Sequence, residues 1–335
     1  MKSPLKGKNF LTLMDFTPEE VAYLIDLAAA VKAKKKAGIY KPSLVGKNVV
    51  LLFAKTSTRT RCAFEVACAD EGAHVTFIGA HDSQMGKKES MEDTAHILGG
   101  FFDAIEYRGF GQDIVETLAA NSGIPVWNGL TDDDHPTQIL ADMLTMRERI
   151  NKPLKDCKVV FCGDIRNNMS YAWMYGAAKT GMHFVAYGPD ALTPDPEVLE
   201  RAREAAKETG AVIEVSSDPA CLKGADVLYT DIWASMGEED KTVERVKLLH
   251  DYKVTMDMIA KTENPDVLFF HCLPAFHDFQ TEVAREWMEQ GVDIREVDDE
   301  VFRSKHSAVF QEGENRLHSI KAVVLATLAD EIYLN

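Results

Sequence analysis

The chain has 335 residues, 46% of them hydrophobic. That allows one large domain or two of ordinary size, with substantial cores. A net charge of −16 argues against a general nucleic-acid binder, which needs a basic face, but leaves room for a local arginine cluster that takes a small anion. No apolar run reaches membrane-spanning length, and residues 1–8 lack the apolar core of a signal peptide, so a soluble cytoplasmic protein without a membrane partner is expected.

Thr17-Pro18-Glu19-Glu20 predicts a capped helix running through Leu24, Leu27 and Val31, with Pro at its first position. Strands are expected near 48–54, 74–78, 103–107 and 124–127, with helices between them. The segment 48–54 is apolar and β-branched, like a buried parallel strand. Ser57-Thr58-Arg59-Thr60-Arg61 follows it and leads into a helix. Free N–H groups and the helix dipole at such a junction favour an anion, and arginine adds a planar fork of donors for phosphate oxygens. Read alone, the string is an N-cap followed by solvated arginines. Arg108 follows the third strand. Asp132-Asp133-Asp134 reads as a solvated turn whose spacing fits no metal loop.

His135-Pro136-Thr137-Gln138 opens a long helix carrying Ile139, Leu140, Met143, Leu144 and Met146. A plain N-cap is as good a reading as one in which His135 and Gln138, one turn apart, serve a carbonyl and an amide. Arg149-Ile150-Asn151-Lys152-Pro153 marks a domain boundary, so domains of 1–150 and 151–313 are expected.

The alternation then restarts. Lys158 to Asp164 is a strand ending in a turn, and strands recur near 183–187, 211–215, 225–230, 266–271 and 293–297. Repeated βα units predict an α/β fold of two doubly wound parallel-sheet domains joined by interdomain helices. From Glu314, apolar residues at Leu317, Ile320, Val324, Leu328 and Ile332 predict a C-terminal helix, 314–335, that packs back on the first domain. Sheets of this kind bind ligands beyond the C-terminal ends of their strands. Arg61, Arg108, His135, Asn168, Asp231 and Cys272 all follow strands, which places the expected site in one interdomain cleft.

The loop Asp231-Ile232-Trp233-Ala234-Ser235-Met236-Gly237 offers a carboxylate, a hydroxyl and backbone amides, groups suited to an amino acid. Its Trp and Met are costly if exposed without a purpose. Cys272 in His271-Cys272-Leu273-Pro274 reads, in isolation, as a buried structural thiol; its neighbours favour a loop whose backbone shapes a ligand site. The six cysteines (Cys62, Cys68, Cys157, Cys162, Cys221, Cys272) are scattered without a Cys-x-x-Cys, against a disulfide framework or structural zinc. No Gly-x-Gly-x-x-Gly follows a strand and no phosphate loop with Gly-Lys-Ser/Thr is present, against a dehydrogenase and an NTPase.

Together these motifs resemble the aspartate/ornithine carbamoyltransferase family, along essentially the whole chain and in order. Ser57 to Arg61 and His135 to Gln138 look like the shared motifs; His271 to Pro274, Asp231 to Gly237 and Phe10-Leu11-Thr12 look like its ornithine branch. The resemblance implies a direct attack of the δ-amine of L-ornithine on carbamoyl phosphate, giving citrulline and phosphate without cofactor, metal or covalent nucleophile. It implies that Ser57, Thr58, Arg59 and Thr60 hold the phosphate, Arg108 bridges phosphate and carbonyl oxygen, His135 polarises the carbonyl and Gln138 binds the carbamoyl amide. Gln84 looks like the residue donated by a neighbouring subunit, and the backbone at Cys272 and Leu273, with Arg316, completes that site. Asn168, Asp231, Ser235 and Met236 look like ornithine contacts, with Asp231 and Cys272 positioning the amine. The family is built on a trimer, sometimes assembled further. Aspartate as acceptor would need basic residues that the 231–237 loop lacks, and putrescine would leave the Asn168 and Met236 contacts idle. The resemblance leaves the direction open, arginine synthesis or the reverse reaction in arginine catabolism.

Overall fold

A computed structural model describes residues 1–82, 85–234 and 238–335. Its contacts divide the chain into two units, Met1–Leu144 with Glu314–Asn335, and Thr145–Gly313.

The first unit opens with α1 (Pro18–Lys36), whose Thr17 and Glu20 form a reciprocal capping box. The strands β1 (Asn48–Phe53), β2 (His74–Gly79), β3 (Ala104–Arg108) and β4 (Val126–Leu130) form a parallel sheet in the order β2-β1-β3-β4. Between them lie α2 (Thr58–Asp70), α3 (Met91–Phe101) and α4 (Gln112–Ser122), and then α5 (Pro136–Arg149). Alternation of the pleat sends Val50, Leu52, Ile105 and Tyr107 to one face, against Ala95, Leu98, Val115 and Leu118 of α3 and α4. On the other face Trp127 stacks on Phe64 of α2, ring centroids 5.8 Å apart. Its indole N–H donates to Thr327 Oγ1 at 2.8 Å, on the C-terminal helix. Both faces are therefore covered, which is why β1 reads as an unbroken apolar run.

The second unit contains β5 (Lys158–Cys162), β6 (His183–Tyr187), β7 (Val212–Ser216), β8 (Val227–Thr230) and β9 (Leu268–Phe270), parallel in the order β7-β6-β5-β8-β9. Its helices are α6 (Asn168–Thr180), α7 (Pro196–Thr209), α8 (Thr242–Leu249), α9 (Met256–Lys261), α10 (Glu282–Glu289) and α11 (Asp299–Phe302). One face packs Val160, Val185, Leu228 and Phe269 on Met258, Val301 and Val309. On the other, Trp173 of α6 meets Tyr229 edge-on at 5.7 Å.

Two elements differ from the expectation. Segment 293–297 is not a strand: only Val297 bridges, to Val254. Asp293 turns the chain locally by accepting from the Arg295 N–H at 3.1 Å and pairing with its guanidinium, and no neighbouring strand lies in register. The last helix, α12 (Val309–Leu328), starts five residues earlier than its apolar spacing indicated and excludes Ile332. That residue is nonetheless buried and donates its N–H to the Met1 carbonyl. The division between the units falls inside α5, upstream of the Asn151 to Pro153 punctuation.

Each strand order contains one switch point, between β1 and β3 and between β5 and β8, where successive strands are added on opposite sides. Sheets of this kind bind ligands outside the C-terminal strand ends at such a point.

Candidate active site

In the first unit the loop leaving β1 is tied to the end of β3. The N–H groups of Ala54 and Lys55 donate to the Arg108 carbonyl at 2.8 and 3.3 Å. Ser57 caps α2 by accepting from the Thr60 N–H. Thr58 and Arg59 lie in its first turn, Thr58 exposed and Arg59 half-buried. The buried Thr60 hydroxyl accepts from two guanidiniums: Arg108 Nη1 at 3.2 Å and Arg316 Nη2, from α12, at 3.0 Å. Arg108 also faces the Gly129 carbonyl at 3.5 Å. Gly129 is needed as glycine, because a Cβ there would stand 1.8 Å from Glu106 Oε1. Burial pushes the Glu106 carboxyl well above the ordinary glutamate range, outweighing Arg108 and Arg316. The protonated form is favoured, so it does not quench the guanidiniums.

Arg316 Nη1 donates to Gln138 Oε1 at 2.6 Å and stands 3.3 Å from His135 Nε2. A guanidinium only donates, so His135 Nε2 is an acceptor and the ring proton sits on Nδ1. That Nδ1 is buried and has no hydrogen-bond partner among the described residues. Burial, then Arg316, Arg108 and Arg59, hold the imidazole well below its ordinary pKa. The result is a neutral ring with one N–H to offer beside converging cations. Such a group suits a developing oxyanion.

In the second unit, β5 is followed by Gly163, whose φ of 123° is open to glycine. Trp233 packs beside it and is only 4% exposed, so the cost of an exposed tryptophan does not arise. Asn167 caps α6, accepting from the Ser170 N–H, and donates to Asp231 Oδ2 at 3.2 Å. Asn168 is the half-buried first residue of α6. The other Asp231 oxygen accepts from the Ile232 N–H at 2.9 Å and from the Cys272 thiol at 3.2 Å. Desolvation raises the Asp231 pKa, overriding the opposing pull of His271, the Ile232 N–H and the thiol. Cys272 is half-buried, so it is neither a core thiol nor fully solvated.

Two buried glutamates fix the loop around Cys272. Glu312 accepts from the His271 N–H at 3.0 Å and from the Tyr229 hydroxyl at 3.3 Å. Glu296 meets His271 Nε2 at 3.0 Å and accepts from the Phe276 N–H at 2.7 Å. The Leu273 N–H donates to His271 Nδ1 at 2.9 Å, so the ring proton is on Nε2, toward Glu296. Leu273 takes a left-handed φ of 59°, uncommon for a branched side chain, before a cis bond to Pro274. Burial pushes Glu296 up to about 8.

Gln84, Ser235 and Met236 lie outside the described residues. The acidic turn is not wholly solvated as expected: Asp132 pairs with the buried Lys55, whose Nζ also sits over Phe110, and Asp134 is buried. Two groups of described residues bring three possible metal-donor atoms within 4.8 Å of one another. In Asp231, His271 and Cys272, both ring nitrogens of His271 are engaged. In His277, Asp278 and Asp299, the Arg303 guanidinium pairs with both carboxylates.

Sequence reasoning passed over Lys55, Glu296 and Glu312, which carry no motif spacing, and gave Asn167 no role of its own. It also passed over Asp142, whose i,i+4 relation to Gln138 on α5 was available as a signal.

The description "Aspartate/ornithine carbamoyltransferase, carbamoyl-P binding domain" matches residues 8–148, and "Aspartate/ornithine carbamoyltransferase, Asp/Orn binding domain" matches 155–327. The chain is 64% identical to a catabolic ornithine carbamoyltransferase of Clostridium perfringens, over 96% of this chain and 98% of that one. It is 55% identical to the catabolic ornithine carbamoyltransferase 1 of Streptococcus agalactiae, over 97% and 99%. The solved ornithine carbamoyltransferase of Pyrococcus furiosus superposes with a TM-score of 0.89 at 38% identity, covering 98% of this chain and 99% of that one. With two parallel α/β units and the two matching domains in order, the chain belongs to the aspartate/ornithine carbamoyltransferase family and is a carbamoyltransferase.

Proposed function

We propose that this enzyme moves a carbamoyl group between carbamoyl phosphate and the δ-amine of L-ornithine. The observation that carries the reading is the convergence of Arg108 and Arg316 on Thr60 at the start of α2, beside a neutral His135. Two buried guanidiniums on one hydroxyl suit an anion, and a helix N-terminus adds to that. In this reading Ser57, Thr58, Arg59 and Thr60 take the phosphate of carbamoyl phosphate. Arg108 spans phosphate and carbonyl oxygen, the His135 N–H polarises that oxygen, and Gln138 takes the carbamoyl N–H. Gln84 from a neighbouring subunit and the backbone at Cys272 and Leu273 close the shell around it. Asn168, Asp231, Ser235 and Met236 hold ornithine, with Asp231 and Cys272 orienting the amine.

The neutral amine attacks the carbonyl carbon. The C–O bond to phosphate breaks, phosphate leaves with the electron pair, and an amine proton passes to a phosphate oxygen. Arg59, Arg108, Arg316 and His135 stabilise charge that grows on the carbonyl and phosphate oxygens, and the rest of the rate comes from positioning two bound substrates. The names of the relatives at 64% and 55% identity support a catabolic role, with citrulline and phosphate as the substrates used. The family resemblance supports a cytoplasmic trimer or multiple of trimers.

The test is incubation with carbamoyl phosphate and L-ornithine, putrescine or L-aspartate, measuring the ureido product. Citrulline formed with ornithine alone supports the reading; another product overturns the acceptor assignment, and none overturns the activity. Arg59→Ala is expected to lose carbamoyl phosphate binding and Asp231→Ala to lose ornithine binding; unchanged kinetics would remove either residue from its role. Light scattering checks the trimer.

A further inference from the structure

Gln138 is gripped at both ends of its amide. Its Nε2 donates to Asp142 Oδ1 at 2.7 Å, one turn along α5. Its Oε1 accepts from Arg316 Nη1 at 2.6 Å. Asp142 Oδ1 accepts and a guanidinium only donates, so the amide has one orientation that satisfies both. The reverse orientation would set oxygen against oxygen and N–H against N–H. Gln138, Asp142 and Arg316 are all at most 3% exposed, so water cannot easily supply a substitute partner. Arg316 in turn reaches Thr60 Oγ1 and stands beside His135 Nε2. The chain of contacts thus runs from Asp142 through the amide to the groups assigned to phosphate and carbonyl.

We propose that Asp142 is a positioning residue that sets the enzyme's preference for a carbamoyl group over an acyl group, by fixing the oxygen of Gln138 toward the substrate amide. This rests on the functional reading above, in which Gln138 takes the carbamoyl N–H. An amide oxygen has two acceptor positions, so Oε1 can accept from Arg316 and from a substrate N–H together. A ligand with methyl in place of NH₂ presents no donor to that oxygen. Asp142 touches no substrate; it acts through Gln138. Taking away its acceptor oxygen leaves the Gln138 NH₂ without its partner, and the side chain turns to find another.

The test uses two stable ligands that differ only there, phosphonoacetamide and acetonylphosphonate, titrated calorimetrically into the full-length enzyme. The wild type is expected to bind the amide about tenfold more tightly, the scale of one hydrogen bond to a buried acceptor. D142L, which removes the acceptor oxygen at similar volume, is expected to bring the ratio to within about twofold of unity. D142N keeps an acceptor oxygen and is expected to restore most of the preference. D142A is measured in parallel, with thermal melts identifying the folded variants. In a Q138L background, the Asp142 substitutions are expected to leave the ratio unmoved. A D142L and D142A pair that weakens both ligands equally would make Asp142 merely structural and overturn the proposal. So would a D142N that fails like D142L, since charge and not the acceptor would then be responsible. A Q138L enzyme that keeps the full ratio would overturn the assignment of Gln138 itself, which is a separate failure from that of Asp142.

Discussion

Arg316→Lys keeps the charge of the cationic site and removes its geometry. The native guanidinium uses both branches: Nη1 reaches Gln138 at 2.6 Å and Nη2 reaches Thr60 at 3.0 Å. A lysine ammonium at the end of a flexible stem can hold one of those positions but cannot present a planar fork to two partners and a phosphate together. A hydrogen bond to a charged group contributes about 1.5–3 kcal/mol. With one of two branches recovered, the expected net loss is about 1.5–3 kcal/mol, or about 10- to 100-fold in affinity for a phosphonate analogue of carbamoyl phosphate. Long-range attraction of the anion is preserved, so the loss should fall on dissociation, with the association rate changed little. Calorimetry gives the affinity, and stopped-flow binding separates the two rates. A variant within threefold of wild type would show that Arg316 acts as a point charge and would refute the fork.

Gly129→Ala is expected to destabilise the first unit by about 1–3 kcal/mol and to weaken phosphonate binding, because its Cβ must displace Glu106 from beneath Arg108; unchanged melting and binding would count against that packing. Glu296 gives a pH dependence with a definite sign. Its folded pKa of about 8 exceeds the ordinary 4.5, so between these values the folded chain keeps a proton that the unfolded chain has lost. This group's stabilisation is complete below about pH 4.5 and falls by about 1.4 kcal/mol per pH unit as pH rises toward 8. Urea unfolding of Glu296→Gln at pH 5.5 and 7.5 should lack that fall; an identical pH slope in both proteins would refute it. Turnover with ornithine should climb from pH 7 until the δ-amine deprotonates, since a free alkyl ammonium titrates near pH 10. A flat profile from neutral to mildly alkaline pH would exclude attack by the neutral amine as the limiting step.

The strands and the edge on which the chemistry gathers were legible because both follow from local pattern. Residues 49–53 are apolar without interruption, as a strand covered on both faces must be, and Ser57 caps α2 where a hydroxyl precedes a helix. Asp231 and Cys272 follow adjacent strands, so parallel pairing alone brings their loops together. Segment 293–297 deceived because alternating burial is present without a partner strand; Ile294 and Glu296 are buried, but Glu296 faces inward to serve His271 and Phe276. Trp233 packs beside Gly163, 70 positions earlier in the chain, a contact that no local window contains. The supporting acids, Glu296 and Glu312, were invisible for the same reason.

Charge reconciles the acidic chain with an anion site. A net charge of −16 spread over a surface is screened within about 10 Å at ordinary ionic strength. Arg108 and Arg316 are buried and act at hydrogen-bond range, where screening is weak. Burial pushes the carboxyl of Glu106, which interacts with both, toward its neutral form. Burial, and then the field of the guanidiniums, hold His135 neutral, which leaves it a donor at Nδ1 and not a fourth competing cation. An imidazolium there would bind phosphate more tightly in the ground state as well as the transition state. In the proposed reaction a neutral ring instead contributes where oxygen charge grows, and it is such a difference that lowers a barrier.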